Sequence, residues 1–170
     1  MSSSRMRGSL PRASGPALEV LRVVTTSPRR FTILSSSWWG KHFHLYANRS
    51  HDCAADNGGE CPRCKEGWPQ KWRAYAHVQP WGAEGIAPPK PAILELTKAA
   101  IDQVEGLLPE GITLRGVKLE VSKTRGGAKG RYLCNTLPGI VEEALLLPEL
   151  DPEPILRILW NWNTKGSIQK

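Results

Sequence analysis

The chain has 170 residues, of which 40% are hydrophobic, enough for one ordinary core and too few for two comfortable ones. Lys and Arg outnumber Asp and Glu by 23 to 16, giving a formal charge of +7, which favours a polyanionic partner over an acidic small substrate. No run approaches the roughly 20 apolar residues of a membrane-spanning helix, and the opening MSSSRMRGSLPRASGP lacks the apolar stretch of a signal peptide, so no membrane partner is expected and a reducing cytoplasm or nucleoid is.

Residues 1–17 combine Ser, Gly, Pro and Arg without apolar periodicity and read as a disordered basic arm. From Leu18, LEVLRVV and then FTIL read as two strands separated by the turn-like TTSPRR. WWGKHFHLY alternates, with Trp39, Lys41, Phe43 and Leu45 on one face and Trp38, His42, His44 and Tyr46 on the other. NRSHDCAADNGGECPRCKEG follows as a hydrophilic loop, KWRAYAHVQPW as a further strand, and KAAIDQVEGLL as the internal helix with Thr97 as N-cap. LRGVKLEVSK and GRYLCNTL flank TRGGAKG as the arms and mobile tip of a hairpin, and the end of the chain carries one or two short helices. The expected fold is mainly β in the α+β class: a small OB-like β-barrel over 18–140 with a zinc loop inserted at 42–66, and a C-terminal helical segment and tail over 141–170.

Four cysteines in a reducing compartment point to metal before disulfide. Cys61 and Cys64 enclose two residues, the spacing that lets two thiolates of one tight turn face a single ion, and Cys53 lies seven residues before Cys61. A Gly-rich hydrophilic loop offers no apolar interior in which three cysteines could simply bury. Tetrahedral Zn²⁺ needs a fourth ligand; His44 ranks first and His42 second, with His51 and Cys134 as further candidates. A thiol-disulfide role for Cys61-Pro-Arg-Cys64 is disfavoured because no helix is read after it and a third cysteine stands close by. A catalytic metal is disfavoured because no Glu stands beside a ligand histidine.

Seven Trp and three Tyr interleave with basic residues, a pattern suited to single strands, whose unpaired bases stack while their phosphates seek cations. Trp72, Arg73 and Tyr75 supply one such run. Lys118, Lys123, Arg125, Lys129, Arg131 and Tyr132 supply another around the glycine-rich tip.

The succession His44, Cys53, Cys61 and Cys64 between strand-like segments, followed by KWRAYAHV, by ILEL with a helix, and by KLEVSKTRGGAKGRY, resembles the zinc-containing OB-fold single-stranded-DNA-binding proteins of large tailed phages over about residues 30–137. That resemblance implies zinc on His44, Cys53, Cys61 and Cys64. It implies DNA contacts from Trp72, Arg73, Tyr75, Lys123, Arg125, Lys129, Arg131 and Tyr132. The expected function is therefore a non-enzymatic single-stranded nucleic-acid-binding protein, ssDNA before RNA, acting in replication, recombination or a mobile-element nucleoprotein complex. The alternatives are a zinc-stabilised interaction subunit, in which exposed tryptophans and PILRILWNW dock a protein partner, and a zinc-dependent nuclease or deaminase.

Overall fold

The computed structural model describes residues 18–160; the basic arm at 1–17 and the tail beyond Trp160 lie outside the described residues. Among the described residues, eight strands and three α-helices make the fold mainly β and α+β in class: β1 Glu19–Leu21, β2 Arg29–Ile33, β3 Trp39–Tyr46, β4 Arg49–Asp52, α1 Pro62–Lys65, β5 Gln70–Pro80, β6 Ala92–Thr97, α2 Lys98–Leu107, β7 Val117–Lys123, β8 Tyr132–Ile140 and α3 Pro152–Leu159. The described chain divides into two compact units, one of residues 18–39 and 74–150, the other of 40–73 and 151–160. The segment read as a separate C-terminal element from 141 is thus shared, 141–150 clustering with the first unit and 151–160 with the second.

In the first unit the strand order is β1-β6-β5-β2-β7-β8. The β1–β6 pair is parallel, whereas β2–β5, β2–β7 and β7–β8 are antiparallel. The expected OB-like barrel is not closed: among the described residues no ladder joins β1 to β8. The cause lies at the ends. The three-residue β1 is taken up by β6, and the outer edge of β8 is occupied by a side chain of α2, since Gln103 Nε2 donates to the Tyr132 carbonyl at 3.0 Å and Gln103 Oε1 accepts from the Cys134 amide at 3.0 Å. One glutamine thereby plays the part of a ninth strand at an edge that would otherwise invite another chain.

Thr97 begins α2 as read from the sequence, its side chain accepting from the Ala100 amide, and Ala100, Ile101 and Val104 form the buried stripe. Phe31, Ile33, Val78, Ile93, Leu94, Ile101 and Leu119 fill the core of this unit. Residues 141–150 are strapped down by two carboxylates. Arg115 holds Glu143 through Nε and Nη2, and Glu149 accepts from the Ser36 amide at 2.6 Å and the Ser36 hydroxyl at 2.8 Å.

In the second unit β3 pairs with β4 and with β5, and the β3–β4 hairpin closes at Tyr46 opposite Arg49. The two residues between them, Ala47 and Asn48, both have positive φ (47° and 59°), the signature of the two-residue turn whose twist matches that of paired strands. This hairpin replaces the first part of the segment read as loop. Of Trp38 and Trp39, the latter faces inward and is 5% exposed.

The C-terminal helix belongs to this unit. Asp151 caps it by accepting from the Glu153 amide at 3.1 Å, Ile155 and Leu156 are buried, and the ring of the following Trp160 lies 5.9 Å from that of Phe43. The segment read as a dock for a protein partner therefore packs, as far as Trp160, on this chain itself. Among the described residues no helix is long and apolar enough to cross a membrane.

Candidate metal centre and cationic surface

β3 carries His44 inward, fully buried, and β4 returns the chain to Cys53. A 3-10 turn at Ala54–Asn57 ends on Gly58 in the left-handed region (φ 76°), and Cys61 opens α1 with Pro62 at its first position. The reading that no helix follows Cys61 is thereby corrected: one helical turn runs through the motif and brings Cys64 round to face the other donors.

One donor atom each from His44, Cys53, Cys61 and Cys64 falls within 4.8 Å of all the others, so this cluster can hold a metal ion. The Cys53 and Cys64 sulfurs are 3.6 Å apart, and His44 Nε2 is 3.5 Å from both the Cys61 and the Cys64 sulfur. Bond lengths to Zn²⁺ of about 2.3 Å for sulfur and about 2.0–2.1 Å for nitrogen predict tetrahedral edges of about 3.8 Å between sulfurs and about 3.6 Å between sulfur and nitrogen. These three edges match those figures, whereas a disulfide would need about 2.05 Å between sulfurs.

The surroundings complete the case for a cation. Burial pushes the Cys61 thiol up, but the backbone amides of Cys64 and Ala54 and the His44 ring outweigh it and bring the group down to about 6. Cys64 is held up at about 11, first by Cys53, then by burial and by Cys61. One thiolate is favoured and the next is penalised by its neighbours, a conflict that a dication at the centre removes. His44 Nδ1 faces the Pro69 carbonyl at 3.2 Å, which fixes Nδ1 as the protonated nitrogen and leaves Nε2 as the donor to the metal. Gln70 Nε2 donates to the Cys53 sulfur at 3.3 Å.

His42, the second-ranked ligand, is outside the cluster. Asp56 accepts from its amide at 2.6 Å and lies 2.7 Å from its Nδ1. His51 is outside as well, its ring edge-on to Trp68 at 5.8 Å. Cys134 is a buried strand thiol of the first unit, raised to about 11 by burial. Lys41, with no exposed surface, is the residue that the sequence undersold: it donates to the Cys53 carbonyl at 3.2 Å and to Asp56 at 3.1 Å and pairs with Asp52. Burial pushes Asp56 up, but the His42 amide, the His42 ring and Lys41 outweigh it and hold the carboxyl below the usual carboxylate range.

The residues assigned to a nucleic-acid surface separate into internal and external groups. Tyr75 is 2% exposed and cannot act as a stacking platform. Arg73 lies 3.8 Å over the Phe43 ring and donates to Ser50 at 3.0 Å, so its guanidinium is spent inside the second unit. Trp72 is half-buried, its ring so close to Gly40 that a Cβ there would stand 2.7 Å from the indole.

Lys118 and Lys123 do not form one cluster, because β7 alternates strictly and places them on opposite faces. Lys118 donates to the Pro138 carbonyl at 3.3 Å. Lys123 is 7% exposed, donates to the Gly127 carbonyl at 2.9 Å and stands 4.7 Å over the half-buried ring of its cross-strand partner Tyr132.

Arg125, Lys129 and Arg131 are exposed. The tip read as a mobile finger has backbone hydrogen bonds of its own. The Gly127 amide donates to the Val24 carbonyl at 3.0 Å, the Lys123 amide to Thr25 at 2.9 Å and the Thr124 amide to Arg131 at 2.9 Å. Gly130 is obligatory in this fold of the backbone, since a Cβ on it would meet the Arg125 carbonyl oxygen at 1.9 Å.

Sequence reasoning also passed over Trp68. Its ring is stacked on that of Tyr46 with centroids 4.5 Å apart, and the Arg63 guanidinium lies 5.6 Å from it. A Trp three residues after a Cys-x-x-Cys-Lys turn was the only available signal. Comparison of the chain with protein-family models, with curated proteins and with solved structures returns no match.

Proposed function

We propose that this chain is a non-enzymatic single-stranded nucleic-acid-binding protein whose metal is one structural Zn²⁺ held by His44, Cys53, Cys61 and Cys64. Three thiolates and one imidazole make a closed soft-donor shell, which suits Zn²⁺ over Mg²⁺ or Ca²⁺ and leaves no open position for a substrate or water. Such an ion, when bound, supplies folding free energy to a hydrophilic loop. His44 and Cys53 fix the strand side of that loop; Cys61 and Cys64 fix the helical turn.

The observation that carries the nucleic-acid reading is the β7–β8 tip. From Val121 to Val141 the chain has no carboxylate, and Arg125, Lys129 and Arg131 stand exposed on a loop whose backbone is already fixed. Cations on a preorganised loop lose little entropy on meeting phosphates, and they read backbone rather than sequence.

Titration of zinc-loaded protein with oligo-dT and oligo-U at two salt concentrations tests this. Three phosphate contacts on a single strand predict a slope of log K against log salt of about −2. Absence of binding by folded, zinc-loaded protein would contradict it. A second reading would then gain, that of a protein-interaction subunit, favoured by the apolar side chains of Leu145 and Leu147, which are 76% and 44% exposed.

A further inference from the structure

The ring pair on the metal-stapled unit has no role in holding the metal. Tyr46 and Arg49 are the closing residues of the β3–β4 hairpin and directly opposite in register, so their side chains leave the same face of the ladder, the face that also carries His44 and His51. The turn between them has both central residues, Ala47 and Asn48, in the left-handed region, the two-residue geometry whose twist matches that of paired strands.

On that face Trp68 covers one side of the Tyr46 ring at 4.5 Å with an interplanar angle of 27°, yet Tyr46 remains 59% exposed. A ring with one face covered and that much surface left has its other face open. Trp68 is itself braced by the edge of His51 at 5.8 Å and by the Arg63 guanidinium at 5.6 Å. Arg49, the cross-strand partner of Tyr46, is exposed.

A half-covered aromatic ring with a cation as its cross-strand neighbour has the chemistry of a nucleobase platform: the base needs a π-face and its phosphate needs a positive charge. We propose that the open face of Tyr46, backed by Trp68, stacks one unpaired base of a bound single strand while Arg49 meets the adjoining phosphate. This inference rests on the single-strand reading above and adds a second contact point, on the metal-stapled unit, to the β7–β8 tip. DNA and RNA share the base and the phosphate, and the two strand types are separated by the experiment.

The test uses the full zinc-loaded chain with a dT oligomer, a U oligomer of equal length, and a deoxyribose-phosphate oligomer of that length lacking bases. Tyr46→Leu should weaken binding to the base-bearing strands by about 5-fold to 150-fold, the range set by the loss of one stacked base. Tyr46→Phe should bind as the unaltered chain does, and on the abasic strand Tyr46→Leu and the unaltered chain should be indistinguishable. Arg49→Gln should reduce the salt slope by about 0.7 on all strands, as expected for one lost phosphate contact.

The polymer on which the Tyr46→Leu loss is larger names the strand that the platform receives. Tyr46→Leu binding dT and U normally would overturn the platform while leaving the single-strand reading intact, as would an equal loss on the abasic strand. Failure of the unaltered chain to bind any strand would overturn the reading itself. Should Tyr46→Leu lose its zinc, Arg49→Gln decides, and an unchanged salt slope would overturn the site.

Discussion

Lys41 Nζ donates to the Asp56 carboxylate at 3.1 Å from a position with no exposed surface, and Asp56 in turn accepts from the amide of the next residue, His42. This pair ties the strand that carries His44 to the loop that carries Cys53. It places an uncompensated charge at stake on both sides, because a lysine buried without its carboxylates, or carboxylates left without their lysine, would have to be rehydrated or neutralised.

Lys41→Ala should therefore be destabilising by about 2–3 kcal/mol, below the full cost of breaking a buried pair because Asp52 and Asp56 keep 26% and 21% of their side-chain exposure. It should also weaken zinc retention by about 10-fold to 100-fold, the usual range for removing a group that orients metal ligands. Urea unfolding and competition with a chelator measure the two effects. A variant with normal zinc retention would show that the loop is positioned without the lysine.

The edge of β8 gives a second prediction. Gln103→Ala removes both the donor to Tyr132 and the acceptor for Cys134, and since Gln103 lies at the surface, water can replace part of the loss. The expected cost is about 1 kcal/mol in thermal unfolding, accompanied by greater self-association at high concentration. Gln103→Glu should not restore the unaltered behaviour, because it keeps an acceptor for the Cys134 amide and turns a carboxylate toward the Tyr132 carbonyl.

His77 sets a pH dependence in the first unit. It is 2% exposed, neither ring nitrogen has a hydrogen-bond partner among the described residues, and its pKa is lowered to about 4, chiefly by burial and further by Arg115. The unfolded chain, with an ordinary histidine near 6.5, takes up the proton first as pH falls, so stability is full above about 6.5 and is lost progressively down to about 4. The loss attributable to this residue is about 3 kcal/mol. Denaturation of the unaltered chain and of His77→Phe across pH 4–7 should show the slope in the former and a shallower one in the latter; parallel curves would assign the acid sensitivity elsewhere.

The metal cluster and the hairpin were legible because each rests on local spacing: Cys-x-x-Cys, a histidine on the strand that feeds the loop, and glycines between two strand-like runs. What the sequence hid was the phase of burial. In VKLEVSK the same alternation that puts Val117, Leu119 and Val121 inward also puts Lys123 inward, where a reading by charge alone placed it on the surface. Tyr75 was misplaced for a related reason, since β5 is buried on both faces from Ala74 to Val78 and a two-faced strand leaves no polar side to a tyrosine. The β4 strand was invisible because Arg49, Ser50, His51 and Asp52 carry no apolar pattern; the pairing with β3 and the adjacent cluster of donors hold it, and neither is local.

Gly130→Ala probes the tip directly. The added methyl would collide with the Arg125 carbonyl, so the turn must rearrange and carry Arg125, Lys129 and Arg131 out of their fixed arrangement. Oligonucleotide affinity should fall several-fold with zinc content unchanged, which a fluorescence titration and a metal assay on the same sample would establish. Unchanged affinity would mean that the tip is not the phosphate contact.

The central claim, a closed four-ligand metal centre on His44, Cys53, Cys61 and Cys64, is tested most directly by cobalt substitution followed in visible absorption. The account predicts one Co²⁺ per chain with the intense ligand-field bands of tetrahedral coordination and thiolate charge transfer, lost or weakened in each of His44→Ala, Cys53→Ser, Cys61→Ser and Cys64→Ser and retained in His42→Ala and Cys134→Ser. A weak octahedral spectrum, or a spectrum altered by His42→Ala and indifferent to His44→Ala, would contradict it.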